Sequence, residues 1–170
     1  CIPFITIHAM LLIFLFVQTH VVWWVVAILT YAMMMFGITG GYHRLIAHKS
    51  YKANRIITFI IACFGCFAAQ KGPLWWAAHH RHHHRHSDKP EDVHSPVSKG
   101  FWWSHCGWIM CKKYDPIEWK YIQDYKNRPE LIWLDKNYLV PPALLALVYL
   151  LLGGLEGCVW GFILPFIVCY

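Results

Sequence analysis

Residues 21–48 read V-V-W-W-V-V-A-I-L-T-Y-A-M-M-M-F-G-I-T-G-G-Y-H-R-L-I-A-H, an apolar run that leads into a pair of histidines. Its first part, residues 21–39, contains no charged side chain. A helix of about 20 apolar residues is long enough to cross a lipid bilayer. The stretch therefore predicts a membrane-spanning helix with His43 and His48 at the end where the helix leaves the membrane.

Charge divides the chain into an apolar beginning, a polar middle and an apolar end. Residues 1–43 contain no Asp, Glu, Lys or Arg, and residues 137–170 contain only Glu156. All 15 Lys and Arg lie between residues 44 and 136. Because cytosolic segments of membrane proteins are rich in Lys and Arg, the middle is expected to face the cytosol. The basic residues form no dense patch, so no nucleic-acid partner is expected.

Two helical hairpins account for the apolar ends. Their four helices are expected at residues 2–17, 21–39, 139–152 and 158–170. The first pair turns at residues 18–20 and the second at the glycine-rich residues 153–157. The last helix is expected to continue past Tyr170, and the sequence is expected to be a fragment at both ends.

The fold class that follows is an all-α integral membrane protein. Residues 1–170 form a single membrane domain, in which residues 1–41 are the first transmembrane hairpin and residues 137–170 the second. Residues 42–136 form a histidine-rich helical cap on the cytosolic side. Within the cap, residues 56–70 are apolar but too short to span, so we expect an interfacial helix that keeps both histidine clusters on one side.

Three further expectations concern the cap. Pro73 suits the first turn of a helix that runs into the second histidine cluster. Residues 114–136 are polar and aromatic and are expected to form a surface helix. Cys63 and Cys66 have CxxC spacing but lie in an apolar run without a second pair, which favours buried free thiols over a redox or zinc pair.

The second histidine cluster, residues 79–86, reads H-H-R-H-H-H-R-H. Residues three and four apart share one face of a helix, so His80, His83 and His84 can point into one site. Helical geometry alone leaves a second register open, because the same spacing recurs at His79, His82 and His83.

The first pair of histidines has a different spacing. His43 and His48 are five residues apart, about 140° around an ideal α-helix, and are expected not to share a face. Either the helix ends between them or they bind different metals of a pair. The isolated histidines are expected to be hydrogen-bonded structural groups, or groups that orient a ligand, rather than ligands: His8, His20, His94 and His105.

Five clustered imidazoles indicate a metal site. Zinc usually takes four ligands, so five histidines suit a pair of metal ions better. No carboxylate is expected on the face of the cluster, and the Glu-x-x-His motif of carboxylate-bridged sites is absent. An all-histidine iron pair used for oxygen chemistry is the natural hypothesis. The alternative is a solvated basic face or a loose metal-sequestering tract.

Three stretches resemble the membrane fatty acid desaturases, most closely the delta-nine acyl-CoA (stearoyl-CoA) type. They are G-G-Y-H-R-L-I-A-H-K-S-Y-K-A at residues 40–53, W-A-A-H-H-R-H-H-H-R-H-S-D at 76–88 and D-V-H-S-P-V-S-K-G-F-W-W-S-H-C-G-W at 92–108. The first is similar to the family's HxxxxH box and the second to its HxxHH box.

The resemblance implies a ligand set. The family's W-A-x-x-H-R-x-H-H pattern places ligands at His80, His83 and His84, which with His43 and His48 makes five for two iron ions. The family's remaining ligands, including a third box of the HxxHH type, are not in this sequence. This stretch alone is therefore not expected to complete a di-iron centre.

The implied reaction is the O2-dependent insertion of a cis double bond, at the delta-nine position, into an acyl-CoA or acyl-lipid chain. The resemblance implies electrons from a b-type cytochrome or a ferredoxin, and a multi-pass location in the endoplasmic reticulum or bacterial inner membrane with the boxes on the cytosolic side. It also assigns Trp76 and Gln70 to the acyl tunnel, and Lys112 and Lys113 to the polar head of the acyl carrier.

The sequence departs from the family pattern at one pair of positions, and it allows other functions. Ala78 and His79 occupy positions where many acyl-CoA members carry Arg-Asp, which leaves an acyl-lipid carrier open. A lipid or alkane hydroxylase shares the histidine boxes. A His-rich metal transporter is disfavoured, because transporters place polar ligands within membrane helices, whereas these apolar segments hold no acid apart from Glu156 in a turn.

Overall fold

The computed structural model describes Thr6 and residues 9–169, and the regular structure of those residues is helical throughout. In chain order the α-helices are α1 (Val21–Phe36), α2 (Arg55–Cys66), α3 (Pro73–His86), α4 (Pro96–Lys99), α5 (Pro129–Lys136), α6 (Val140–Glu156) and α7 (Leu164–Cys169). The π-helical segments are Gly37–Ala47, Trp103–Gly107 and Gly157–Ile163. The predicted all-α class is confirmed for the described part of the chain.

Within the described residues, two apolar helical stretches are long enough to cross a membrane, Val21–Ala47 with 27 residues and Val140–Cys169 with 30. The first consists of α1 and the π-helix that continues it, so it is longer than the predicted residues 21–39. Its apolar side chains are largely exposed, as at Ile28 and Leu29. Such a surface suits contact with lipid tails, which are as apolar as leucine.

The second stretch doubles back on itself at Gly154. This residue has a φ of 58°, a value that glycine adopts readily. Beyond it the chain packs against α6, because a Cβ on Gly161 would lie 3.3 Å from Cδ2 of Tyr149. Residues twelve apart in a straight helix would be about 18 Å apart. The predicted turn at residues 153–157 is therefore confirmed.

The first predicted helix, residues 2–17, lies only partly within the described residues. Residues 1–5, 7 and 8, among them His8, lie outside them, and Met10–Leu15 forms a 3-10 helix. The turn at residues 18–20 contacts the turn at residues 153–157, since Nδ1 of His20 is 2.9 Å from Oε1 of Glu156. The two turns thus meet at the opposite end of α1 from the first pair of histidines.

Helix α2 crosses the first apolar helix so closely that the two backbones are in contact. A Cβ on Gly37 would lie 2.1 Å from the backbone nitrogen of Gly65, so only glycine fits at this crossing. The helix begins at Arg55, is capped by the side chain of the preceding Asn54 and ends at Cys66, so it is shorter than the predicted residues 56–70. Cys66 is a buried free thiol as predicted, and Cys63 is a half-buried one.

Only the last part of residues 114–136 forms the predicted surface helix. Helix α5 begins at Pro129, and single 3-10 turns precede it at Trp119–Tyr121 and Gln123–Tyr125. Proline has no N–H to donate within a helix and disfavours the α conformation in the residue before it. The prediction of one continuous helix was wrong for this reason.

Candidate metal centre

Four histidines from two helices converge where the first apolar helix ends. His43 lies in the π-helix Gly37–Ala47 and His48 directly follows it, while His80 and His84 lie one turn apart on α3. The Nε2 atoms of His48 and His84 are each 3.0 Å from Nε2 of His80. One ring nitrogen from each residue lies within 4.8 Å of the others. We call these four residues the histidine cluster.

The π-helix explains why His43 and His48 lie together. The N–H of His48 donates to the carbonyl of His43 at 2.9 Å, a bond that joins residues five apart. As a result, the two ring centroids are 4.6 Å apart. The expectation that these side chains do not share a face was wrong, because it assumed ideal α-helical winding.

The cluster has the chemistry of a metal site. Burial and the charges of His84, His43 and His48 lower the pKa of His80 to about 3, and burial followed by the charge of His43 lowers the pKa of His48. A neutral imidazole presents one bare nitrogen, which is the form that binds iron, zinc or copper. The donor set therefore fits the iron that the sequence predicts.

The fifth predicted ligand, His83, lies beside the cluster in a second group with Asp92 and His94. Its Nδ1 is 3.0 Å from Oδ2 of Asp92. Oδ2 also accepts a hydrogen bond from the backbone N–H of Asp88, and Oδ1 accepts one from the backbone N–H of His94. Burial raises the pKa of Asp92, but these hydrogen bonds outweigh it and lower the pKa to about 2. The ionised carboxylate holds Nδ1–H of His83 and leaves its Nε2 free to bind a metal.

The sequence does not indicate that Asp92 is buried beside a histidine. It lies in a polar loop beside Asp88 and Glu91, and composition alone does not distinguish a buried carboxylate from solvated neighbours. No carboxylate is expected on the face of the cluster, and among the described residues the histidine cluster itself contains none. Asp92 reaches His83, beside the cluster, because the loop after α3 folds back onto the helix. Nδ1 of His94 is also 3.2 Å from Oδ1 of Asp92.

The remaining histidines of α3 lie outside the histidine cluster. His79 is buried between Trp75 and Trp108, with ring centroids 4.2 and 5.6 Å away, and its Nδ1 is 2.9 Å from the carbonyl of Trp75. His82 stacks on Tyr121 with centroids 4.9 Å apart. Of the two registers that helical spacing leaves open, the structure brings the one that begins at His80 to the first pair of histidines.

The start of α3 is positioned by Asp135 of α5, which sequence reasoning did not identify. Its Oδ1 accepts hydrogen bonds from the N–H groups of Leu74 and Trp75 at 2.7 and 2.8 Å. These first-turn donors lack partners within their own helix, and the helix dipole favours an anion there. Asp135 is itself buried, so it connects the helix of the second histidine cluster to the rest of the cap.

A cavity of about 520 Å³ opens beside the histidine cluster. Its wall includes His80 and both residues predicted to contact the acyl chain, Gln70 and Trp76. Trp76 stacks on His80 with ring centroids 4.7 Å apart, and Gln70 donates from Nε2 to the carbonyl of Cys169 at 2.6 Å. The rest of the wall is mostly apolar and aromatic, with Trp75, Trp108, Ile109 and Met110 among its members.

The lysines assigned to the polar head of the carrier are exposed, whereas the two positions of the family's Arg-Asp pair are buried. Lys112 and Lys113 are exposed in the 3-10 turn Lys112–Tyr114, which follows the wall residues of the cavity. Ala78 and His79, at the positions of the family's Arg-Asp pair, are only 0% and 5% exposed. Ala78 has no ionisable group, and burial lowers the pKa of His79, so neither residue carries a charge that could meet a carrier.

The chain is similar in sequence to known proteins. Residues 19–170 match the family model described as fatty acid desaturase. The sn-2 palmitoyl-lipid 9-desaturase of Nostoc sp. (strain 36) is 34% identical over 140 residues, which cover 78% of this chain and 49% of that protein. The sn-1 stearoyl-lipid 9-desaturase of Anabaena variabilis is 32% identical over 156 residues, 88% of this chain and 56% of that protein.

A probable acyl-CoA desaturase of Schizosaccharomyces pombe is 32% identical over 136 residues, 79% of this chain and 28% of that protein. The chain spans about half the length of the two lipid desaturases that it matches. The family model covers nearly the whole chain, and the match includes both histidine boxes. The chain belongs to the fatty acid desaturase family.

Proposed function

We propose that the complete protein inserts a cis double bond into a fatty acyl chain in an O2-dependent reaction. The observation that carries the proposal is that His80 belongs to the histidine cluster and also lines the 520 Å³ cavity. An acyl chain in that cavity would lie next to the metal ligands. The reaction converts –CH2–CH2– to –CH=CH–. O2 takes up the two hydrogen atoms removed from the chain, together with two further electrons and two protons, and is reduced to two molecules of water.

The proposed centre is a pair of iron ions. Its ligands from this sequence would be His43, His48, His80, His83 and His84, completed by ligands outside it. Bound iron would supply the activation of O2. The chain's own contribution is to orient the imidazoles: Asp92 accepts the Nδ1–H of His83, and Trp76 stacks on the ring of His80.

The proposed substrate is a lipid-linked acyl chain, with acyl-CoA as the alternative carrier. Gln70 and Trp76 would contact the chain, and Lys112 and Lys113 would meet the polar head. The buried Ala78 and His79 offer no charged pair to a CoA head, which favours the lipid carrier. Two of the relatives are named as lipid 9-desaturases, and we extend position 9 to this protein on that basis.

The proposed location is a membrane that both apolar hairpins cross. Exposed apolar side chains support this, since Leu29 of α1 and Leu151 of α6 are 64% and 76% exposed and large apolar surfaces are rare in water-soluble monomers. The histidine clusters would face the cytosol, in the endoplasmic reticulum or a bacterial inner membrane. A b-type cytochrome or a ferredoxin would deliver the electrons there.

The test is expression of the full-length protein in a host without its own 9-desaturase, followed by mass spectrometry of the fatty acids. The wild type should produce monounsaturated acids, and His80→Ala should produce none. His86→Ala is the matched control, because His86 lies on the same helix but contacts Tyr121. A hydroxylated acid as the product would replace the proposal by a hydroxylase, and unchanged lipids with the wild type would reject both.

A further inference from the structure

Arg81 of α3 makes more hydrogen bonds between different parts of the cap than its neighbours on the helix do. Its Nε donates to the carbonyl of Ala47 at 2.8 Å, and its Nη2 donates to the carbonyl of Ile46 at 2.7 Å. Nη1 donates to the carbonyl of Tyr121 at 2.9 Å. Both Nη atoms also donate to the carboxylate of Asp124, at 2.7 and 3.2 Å. These contacts match the five N–H groups of a guanidinium.

Two of these acceptors lie at the C-terminal end of the π-helix Gly37–Ala47. Carbonyls in the last turn of a helix have no partner within that helix, and the helix dipole favours a cation beside them. Arg81 therefore ties the end of the helix that holds His43 to the helix that holds His80.

The contact is partly shielded from solvent, and its carboxylate is shared with a second cation. The Arg81 side chain is 21% exposed, and Asp124 also pairs with Lys49. Burial raises the pKa of Asp124, but hydrogen bonds from Arg81 and Lys49 lower it overall. Lysine at position 81 could not replace the guanidinium, because its three donors share one nitrogen and do not form a planar fork.

We propose that Arg81 is a positioning residue. It holds His43 and His48, at the end of the π-helix, at metal-binding distance from the two α3 members of the histidine cluster. The proposal rests on the proposed function, since it requires that the cluster bind a metal. Arg81 itself contacts no metal. Its loss should therefore change how tightly and in what geometry the histidines bind a metal ion.

The experiment titrates the full-length protein, purified in detergent and stripped of metal, with Co²⁺, and records its visible absorption spectrum. The variants are Arg81→Lys and Asp124→Asn, with Arg85→Lys as the matched control. Arg85 is exposed on the same helix and lies over the ring of Tyr121. Thermal unfolding of each metal-free protein is measured in parallel.

We expect the Co²⁺ affinity of Arg81→Lys to fall about 10–100-fold, the range found when groups that orient metal ligands are removed. Its spectrum at saturating Co²⁺ should differ from that of the wild type, and Arg85→Lys should match the wild type. Asp124→Asn should show a smaller loss in the same direction, and it carries the test alone if Arg81→Lys does not fold. A wild-type spectrum and affinity in both variants would overturn the inference, whereas failure of the wild type to bind Co²⁺ would instead count against the proposed function.

Discussion

Nδ1 of His83 lies 3.0 Å from Oδ2 of Asp92, a carboxylate with no solvent exposure. The same carboxylate accepts hydrogen bonds from the backbone of Asp88 and His94. One buried side chain therefore shapes the loop after α3 and orients a ring on α3. Histidines that bind metals commonly donate their second ring N–H to such a carboxylate, which supports His83 as a ligand.

Asp92→Asn should weaken metal binding, because a neutral amide holds the ring of His83 less firmly than a carboxylate. We expect the affinity for Fe²⁺ to fall about 10–100-fold, measured by competition with a chelator. Glu91→Gln removes the same charge from an exposed neighbouring position and should leave the affinity unchanged. Equal affinities in the two variants would remove the support that Asp92 lends to His83.

Asp135→Leu should destabilise the protein, since the N–H groups of Leu74 and Trp75 would lose their acceptor. Leaving a buried donor unsatisfied costs about 1–3 kcal/mol. Asp135→Asn keeps an oxygen that can accept and should cost less. Thermal unfolding in detergent measures both losses, and equal stability of the leucine and asparagine variants would contradict the capping role.

Gly37→Ala should disrupt the crossing between α2 and the first apolar helix. The added methyl group would meet the backbone of Gly65, which cannot move aside as a flexible side chain would. Overpacking of this kind typically costs about 1–3 kcal/mol. A Cβ on Gly107 would lie 3.1 Å from Cε3 of Trp103 and 3.5 Å from the backbone oxygen of Trp102, so Gly107→Ala should cost less. The comparison is made by thermal unfolding, and a Gly37→Ala variant as stable as Gly107→Ala would mean that the helices separate easily.

Placing Arg-Asp at positions 78 and 79 should damage folding rather than permit the use of CoA. Ala78 has no solvent exposure and belongs to the hydrophobic core, so an arginine side chain there would have to displace the residues packed around it. Size-exclusion chromatography of the double variant in detergent should show little monodisperse protein. Val97→Arg, at a residue that is 79% exposed, should elute as the wild type does. A well-folded double variant that desaturates acyl-CoA would refute this prediction.

Glu130 should make stability depend on pH in the acid range. Hydrogen bonds from Arg55 and then Arg128 lower its pKa in the folded protein to about 2. A lowered folded pKa stabilises the protein above the unfolded value of about 4.3, and this contribution is lost as the pH falls toward 2. The unfolding temperature of the wild type should therefore approach that of Glu130→Gln between these two pH values. A constant gap between the two proteins would show that the ion pairs contribute nothing.

Some elements of the fold were predictable because their signals are local. The run of residues 21–39 without charge predicted a long apolar helix, and the glycines at 153–157 predicted the turn that Gly154 makes. Pro73 predicted the first residue of α3. Each signal depends on the composition of one short segment, or on the backbone preference of one residue type.

The arrangement of the candidate site was only partly predictable. Helical spacing on α3 allowed two registers, and the choice depends on which face packs against the π-helix Gly37–Ala47. The contact of His43 with His48 depends on π-helical winding, which the spacing of two histidines does not reveal. The tilt of one helix against another is set by packing between segments that are far apart in the sequence, and neither segment alone reveals it.

The sequence by itself determined that the chain is helical, that its ends are apolar and its middle basic, and that its histidines have the spacing of metal ligands. Only the tertiary structure decided that His43, His48, His80 and His84 face one another, and that Asp92, Arg81 and Asp135 hold the elements around them. The physical reason is that hydropathy and spacing act within a few turns of one helix. Asp135 and Arg81, in contrast, find their partners across tens of residues, and Asp92 reaches His83 only because the loop after α3 folds back onto the helix. Such contacts form once the rest of the chain has excluded water from around them.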